Sequence, residues 1–209
     1  SNTDTYTEVI LGLPGDTVET HMQTLMDAVS SGLGIIRMYQ LIVLPETEIS
    51  TNISRKKYDI KTRFRIMPRS YGEYDILGKK VASVESEEIC VSTKYMTQNE
   101  YLDCREIDLT VEILHNGNVY LEIRNFCDWA NIPWFDLVMR FYEMRNNSGN
   151  KIKNLYKEFR EGTLNSSWNN RHDLEENVKN NIVDYVNNKD GTNELSKAKA
   201  LSFFYMQEE

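Results

Sequence analysis

Three arginines in the middle of the chain have the residue type and spacing that best suit a binding site. Arg63, Arg65 and Arg69 follow one another closely in the sequence. Their planar guanidinium groups could hold a carboxylate or a phosphate of a substrate through paired hydrogen bonds. The alternative is a solvated strand face whose arginines pair with the acidic cluster at 85–88, and this is the more common use of such a pattern.

The histidines and the remaining carboxylates form no pattern that is typical of a metal site. His21 and His115 have no partner at metal-ligand spacing, and His172 lies at a polar helix start. We therefore expect structural or exposed histidines and no metal site. Glu87 and Glu88 could act as a general acid or base, but two adjacent carboxylates do not by themselves predict that role.

The composition argues against several classes of protein. A formal net charge of −8 disfavours a general nucleic-acid-binding surface, which would be basic. Cys90, Cys104 and Cys127 are an odd, unclustered set, which is typical of reduced thiols packed in the core of a cytoplasmic protein. The sequence has no apolar run of membrane-spanning length and no signal-peptide pattern, so we expect a soluble, cytoplasmic chain.

The elements that position chemistry begin near the amino end with a strand–turn–helix–strand pattern. The apolar run Val9–Leu11 predicts a strand that is covered on both faces of a parallel sheet, and Gly12–Gly15 predicts a turn. Asp16 is the expected N-cap of the next helix, with Glu19 three residues later. A second apolar run, Ile35–Leu44, completes one βαβ unit, whose ligand-binding end is the carboxyl end of the strands.

The middle of the chain predicts short strands. From Asp59 to Met67 apolar residues alternate with charged ones, which indicates a strand with one charged face. Pro68 is expected to stop this strand, with a turn at Tyr71–Gly72. Two further short strands are expected at Val81–Val84 and Ile89–Ser92.

The last part of the chain predicts helices. A helical stripe begins at Gln98 and ends at Asn116–Gly117, and the pattern after Val119 is almost wholly helical. In an acidic chain the tryptophans are expected to pack in the core or between helices rather than to stack on nucleic-acid bases. These tryptophans are Trp129, Trp134 and Trp168.

Three neighbouring features of the chain carry a resemblance to a known protein family. These features are the motif Gly-Leu-Pro-Gly-Asp-Thr at 12–17, the helix after it, and Gln-Leu-Ile-Val-Leu-Pro at 40–45. At these features the chain resembles the radical SAM superfamily, in particular the branch of that superfamily with a cobalamin-binding domain. Further similarity runs through 62–72, 85–92 and 101–113. The resemblance implies that the first strand is a late strand of a partial (β/α)6 barrel, whose tip approaches the adenine of S-adenosylmethionine (SAM). The cofactor-binding residues carried over by position are Ile10, Gly12, Leu13, Pro14, Gly15, Gln40 and Leu44. Glu46 departs from the family pattern, which has glycine there, and this argues against a close backbone approach at that turn.

The resemblance also implies what must lie elsewhere. A radical SAM enzyme holds a four-iron four-sulfur cluster with three cysteines in a CxxxCxxC loop, and the three cysteines of this chain do not have that spacing. We therefore expect the carboxyl-terminal fragment of a longer enzyme that uses the cluster, SAM and, in this branch, cobalamin. The fragment itself is expected to be inactive and to bind none of these cofactors. Its expected partners are the missing amino-terminal portion of the same chain and a small-molecule substrate of unknown identity. A homodimer through an exposed sheet edge is an alternative. No nucleic-acid or membrane partner is expected.

The expected fold class is α/β, with three successive regions. Residues 6–58 form a barrel remnant of one βαβ unit, 59–119 a mixed α/β extension, and 120–209 a helical carboxyl-terminal region. Two other functions stay open. One is a non-catalytic interaction module with a helical partner-binding half. The other, a complete small nucleotide-binding domain, is disfavoured because neither GxGxxG nor GxxxxGK[ST] is present.

Overall fold

The computed structural model describes residues 5–147, 149–188 and 194–208, and within these ranges it excludes the side chains of 68–69, 188 and 206–208. In chain order the elements are β1 (Tyr6–Leu11), α1 (Val18–Ser30), β2 (Ile35–Gln40), α2 (Asn52–Tyr58), β3 (Lys61–Ile76), β4 (Lys79–Ser92), α3 (Gln98–Leu114), α4 (Leu121–Trp129), α5 (Trp134–Met144), α6 (Asn150–Asn165), α7 (Arg171–Asn180), α8 (Ile182–Asn188) and α9 (Glu194–Glu208). Strands β1 and β2 pair in parallel and α1 connects them, so the expected βαβ unit is confirmed.

The start of α1 differs from the prediction. The N-cap is Thr17, whose hydroxyl accepts a hydrogen bond from the Thr20 amide at 3.2 Å, while the Thr20 hydroxyl accepts one from the Thr17 amide at 2.8 Å. The assignment of Asp16 as the N-cap is therefore wrong. Its carboxylate instead accepts hydrogen bonds from the Gly12 amide at 3.1 Å and the Thr20 hydroxyl at 2.7 Å, which ties the turn to the helix.

The sheet of β1 and β2 is covered on one face only. Val9 and Leu11 point into the core beneath α1, whereas Ile10 is 44% exposed and its neighbour Tyr39 is 42% exposed. The expectation that Val9–Leu11 is covered on both faces is wrong for the described residues. Alternation along the strand decides this, since successive side chains point to opposite faces.

Strands β3 and β4 form one long antiparallel hairpin. Pro68 does not stop β3, because the pairing shifts register between Ile66 and Tyr71 and then continues. Such an irregularity tolerates a proline, which has no amide hydrogen to donate. The chain reverses instead at Leu77–Gly78, where both residues have positive φ. The prediction of a turn at Tyr71–Gly72 is therefore wrong.

The segment after β2 belongs to a different pairing from the one expected. Strand β2 ends at Gln40, and the next residues run antiparallel to β4. The Cys90 amide donates to the Leu41 carbonyl at 2.9 Å, and the Val43 amide donates to the Glu88 carbonyl at 2.8 Å. The expectation of one strand from 35 to 44 is wrong, and the two short strands expected within 81–92 are parts of a single β4.

Helix α3 lies at the centre of the main core. Thr97 caps it in a capping box with Glu100, and most of its residues are buried. The main buried cluster draws on β1, β2, α1, α3 and the tail helices, and includes Val9, Leu25, Ile36, Met38, Ile107, Val111, Phe135, Val138, Leu155 and Leu195.

The helical tail is as expected, and Cys90, Cys104 and Cys127 are buried free thiols. Trp134 is buried, but Trp129 is 78% exposed, so the expectation that Trp129 packs in the core or between helices is wrong. The described residues form two two-stranded sheets and no closed barrel, and the barrel remnant and the three-region division stay predictions. No helix within the described ranges has the length and apolar character needed to cross a membrane.

Candidate functional site

The turn after β1 has a backbone shape that requires glycine. Gly12 has φ +92° and Gly15 has φ +94°, a region that residues with a Cβ rarely adopt. A Cβ added at Gly15 would meet nothing, so backbone conformation rather than crowding explains this glycine. The Leu41 amide donates to the Leu11 carbonyl at 2.9 Å, which places the tips of β1 and β2 side by side.

Apolar side chains are exposed at this end of the strands. Ile10 pairs with Tyr39 on the uncovered face, and Leu13 and Leu44, in the loops after the two strands, are 45% and 55% exposed. Pro14 is half-buried. Exposed apolar groups beside a glycine turn are a suitable surface for a flat heterocycle.

Gln40 differs from the other residues predicted to bind the cofactor. It aligns with Leu11, so its side chain lies on the buried face, where its Oε1 accepts a hydrogen bond from Arg65. The structure therefore brings Ile10 and Tyr39 together but does not bring Gln40 to the same face. Glu46, which stands where the resembling family has glycine, has φ +64°. The chain thus keeps the left-handed conformation there without the residue that favours it.

The three candidate arginines have different surroundings. The Arg63 guanidinium donates to the Ser167 hydroxyl at 2.7 Å and to the Ser167 carbonyl at 2.6 Å, so it anchors the segment between α6 and α7. Arg65 forms an ion pair with Glu87 in addition to its contact with Gln40. The expected pairing of the strand with the acidic cluster therefore holds for Arg65.

Arg69 and Glu88 are the remaining members of these two candidate sets. The side chain of Arg69 is outside the described part of the chain, and its substrate-binding role stays a prediction. Glu88 forms a two-bond ion pair with Arg55 of α2 at 2.7 and 2.8 Å. The Arg55 guanidinium lowers the pKa of the Glu88 carboxyl, although burial acts in the opposite direction.

A buried polar network that the sequence did not predict connects α1, α3 and α9. His21 Nε2 lies 2.8 Å from Asp108 Oδ1, and Arg105 donates to the other Asp108 oxygen at 3.3 Å. Arg105 also lies 3.5 Å from Glu194. Burial opposes a charge on His21, but the Asp108 carboxylate outweighs it and raises the His21 pKa. The spacing of Arg105 and Asp108 is a helical i, i+3 pair, which was the one local signal available.

The cysteines do not fit an iron–sulfur cluster. Burial raises the pKa of the Cys90 thiol to about 11 and also raises that of Cys104, so neither is a thiolate near neutral pH. In the ranges that the structure describes, no three His, Cys, Asp or Glu side chains come together as a metal site would need.

The comparisons with known proteins give distant relatives. No family model matches the chain. The chain is similar to the 2-(S-pantetheinyl)-carbapenam-3-carboxylate methyltransferase of Streptantibioticus cattleyicolor, with 30% identity over 151 residues that cover 69% of this chain and 21% of the relative. It is also similar to the cobalamin-dependent radical SAM methyltransferase TokK of Streptomyces tokunonensis, with 28% identity over 117 residues that cover 56% of this chain and 16% of the relative.

The matched part of the chain thus spans about a fifth of the length of these curated relatives. The similarity to methyltransferases, one of them a cobalamin-dependent radical SAM enzyme, fits the radical SAM superfamily and no narrower class. It hints at an enzyme family related to methyl transfer.

Proposed function

We propose that this chain is the carboxyl-terminal part of a cobalamin-dependent radical SAM methyltransferase, and that the tips of β1 and β2 border SAM. The single observation that supports this most is the uncovered face at Ile10 and Tyr39 beside the turn of positive-φ glycines. The names of the two distant relatives agree with it.

In this proposal Ile10, Leu13 and Leu44 contact the adenine, and the backbone of Gly12–Gly15 approaches the adenosyl group. No cluster ligands come together in the described residues. The role proposed for this chain is therefore to position SAM and to exclude water from it. SAM and an iron–sulfur cluster, held by residues of the preceding part of the protein, supply the radical chemistry when bound. By itself the chain is expected to be inactive.

The free edge of β1 is the expected contact with that preceding part. The carbonyl oxygens of Thr5 and Leu11 accept hydrogen bonds from the β2 side. Because these groups alternate along a strand, the backbone groups of Tyr6, Glu8 and Ile10 face the other way. No strand among the described residues pairs with that edge. We infer that a preceding strand of the same protein does, and a second copy of the chain is the alternative.

The test uses the full-length protein with its preceding region, reconstituted without oxygen. Ile10→Glu would place a carboxylate against the adenine and is expected to weaken SAM binding about tenfold or more. Ile53→Glu is the matched control, because Ile53 is an isoleucine that is 79% exposed on α2 and is not among the residues proposed to contact SAM. Equal SAM affinity in the two variants, or no formation of 5'-deoxyadenosine or S-adenosylhomocysteine by the unaltered protein, would reject the proposal.

A non-catalytic interaction module is the second candidate, and the surface of α4 favours it. Phe126 and Trp129 pack against each other with ring centroids 5.7 Å apart, yet both are largely exposed. Contiguous exposed aromatic groups indicate a contact surface. If the full-length protein does not bind SAM while Trp129→Lys, but not Ile53→Lys, changes its sedimentation, this function is the better one.

A further inference from the structure

Two guanidinium groups converge on one carboxylate beside the end of β2. Glu194, the first residue of α9, lies 3.9 Å from Arg65 and 3.5 Å from Arg105. The Ser166 hydroxyl is 3.3 Å from the same carboxylate. Well-seated ion pairs of this kind have donor–acceptor distances of about 2.7–2.9 Å. Glu194 is therefore held loosely by groups that could bind a carboxylate more tightly.

Three hydrogen-bond donors on Arg105 itself or on residues associated with the two arginines have no partner in the described part of the chain. They are Gln40 Nε2, the Tyr101 hydroxyl and Arg105 Nε. All three residues are at least nine-tenths buried. Buried donors are rarely left unpaired, because water can no longer satisfy them freely. A cluster of three donors favours an acceptor-rich group among them.

The connections between these groups place them around one point. The Gln40 amide contacts Arg65 through its oxygen, so its nitrogen lies next to that guanidinium. Tyr101 is one helical turn before Arg105 on α3, so the two share a face. Burial raises the pKa of the Tyr101 phenol, and the positive charges of Arg105 and Arg65 act on it in the opposite direction. The phenol is therefore within electrostatic range of both arginines.

The cluster is rigid at its base and open at Glu194. Arg105 is fixed by Asp108 and its side chain is 4% exposed, whereas the Glu194 side chain is 31% exposed. Arg65 is fixed by Glu87 and is 20% exposed. A ligand that replaces the Glu194 carboxylate would reach both guanidinium groups without rearrangement of their other partners.

We propose that this cluster is a binding site for a small organic carboxylate, and that Glu194 is an internal occupant which the ligand carboxylate replaces. The binding groups are the side chains of Arg65, Arg105, Tyr101 and Gln40. The exchange of one carboxylate for another leaves the charge within the cluster unchanged. The site lies at the carboxyl end of β2, where ligands bind in parallel α/β units. Its use as a substrate site rests on the proposed function, but its binding chemistry does not.

The experiment uses the chain itself, with acetate as the probe and chloride at matched ionic strength as the reference. Glu194→Ala is expected to bind acetate saturably in calorimetry and thermal shift, about tenfold tighter than the unaltered chain. Glu112→Ala is the matched control, because it also removes an α3–α9 ion pair, that with Lys199 at 3.3 Å, and leaves the cluster intact. The Tyr101→Phe change in the Glu194→Ala background is expected to weaken acetate binding about fivefold without loss of folding, since the hydroxyl has no hydrogen-bond partner among the described residues.

Three results would overturn the site. They are equal acetate binding by Glu194→Ala and Glu112→Ala, no effect of Tyr101→Phe on acetate affinity, and tighter binding of inorganic phosphate than of acetate. The outcome is separable from that of the proposed function. Acetate binding that depends on Tyr101, in a protein whose full-length form does not bind SAM, would keep the site and reject the enzyme assignment.

Discussion

The buried pair His21–Asp108 gives the sharpest stability prediction. The two side chains are 1% and 0% exposed, and they join α1 to α3 across 87 positions of sequence. Removing one partner of a buried ion pair costs about 3–5 kcal/mol, because the other charge stays buried without compensation. In His21→Gln the Asp108 carboxylate keeps Arg105, so we expect a loss of about 2–3 kcal/mol in the free energy of unfolding. In Asp108→Asn, His21 loses its charged partner and Arg105 keeps only the looser contact with Glu194 at 3.5 Å, so a larger loss of about 3–5 kcal/mol is expected.

The same pair gives a pH dependence whose sign follows from the raised His21 pKa. The unfolded histidine has a pKa of about 6.5. Because the folded value is higher, the stability from His21 is fully present below about pH 6.5 and is lost as pH rises through the folded pKa. His115 acts oppositely, since burial lowers its pKa and its contribution is lost on acidification. The difference between the unaltered chain and His21→Gln therefore isolates the His21 contribution.

Urea unfolding between pH 5.5 and about pH 9 measures both effects. The control is His172→Gln, because the His172 side chain is 74% exposed and its replacement should change stability by less than about 0.5 kcal/mol. Two results would refute the reasoning. One is a free energy of unfolding of His21→Gln within about 0.5 kcal/mol of that of the unaltered chain. The other is a pH dependence of stability parallel to that of the unaltered chain.

Three further substitutions test local contacts by urea unfolding. Thr17→Ala removes the hydroxyl that caps α1 and should cost about 0.5–2 kcal/mol, whereas Thr24→Ala within the same helix should cost nothing; equal effects would contradict the cap. Asn116→Ala leaves the buried amide and carbonyl of Ile36 without their hydrogen-bond partners at 2.8 Å and should cost about 2–4 kcal/mol. A loss below about 1 kcal/mol would show that other groups replace the Asn116 side chain. Glu46→Gly relieves the positive φ and should stabilise the chain by roughly 0.5–1 kcal/mol, and a loss of stability would show that the Glu46 side chain makes a contact of its own.

The βαβ unit could be predicted because its information is local. An apolar run, a glycine turn, a helical stripe and a second apolar run each depend on a few neighbouring residues. The same local reasoning gave the wrong cap, since Asp16 and Thr17 are both good N-cap residues and only the backbone decides between them. It also extended β2 to Leu44, because composition cannot show that the chain changes partners after Gln40.

The parts that could not be predicted depend on contacts between distant segments. Arg65 was a candidate from its strand pattern, but nothing local indicates that Gln40 and Glu194 lie beside it. Trp129 was expected to pack in the core or between helices because an acidic chain disfavours base stacking, yet the side of α4 that packs on the protein is the one with Cys127. Long-range pairing decided both outcomes, and local sequence patterns do not reveal it.

The shared core explains why the helical tail and the βαβ unit should be studied together. Val111 of α3 lies in one buried cluster with Val9 of β1 and with Phe135, Leu155 and Leu195 of the tail. A chain cut before the tail would expose the buried face of α3, and hydrophobic burial of this kind is the main source of stability. Loss of activity of the full-length protein after such a cut would therefore report unfolding rather than a role of the tail in the reaction. Substitutions at exposed or loosely held positions, such as that of Glu194, change the site while this core stays intact.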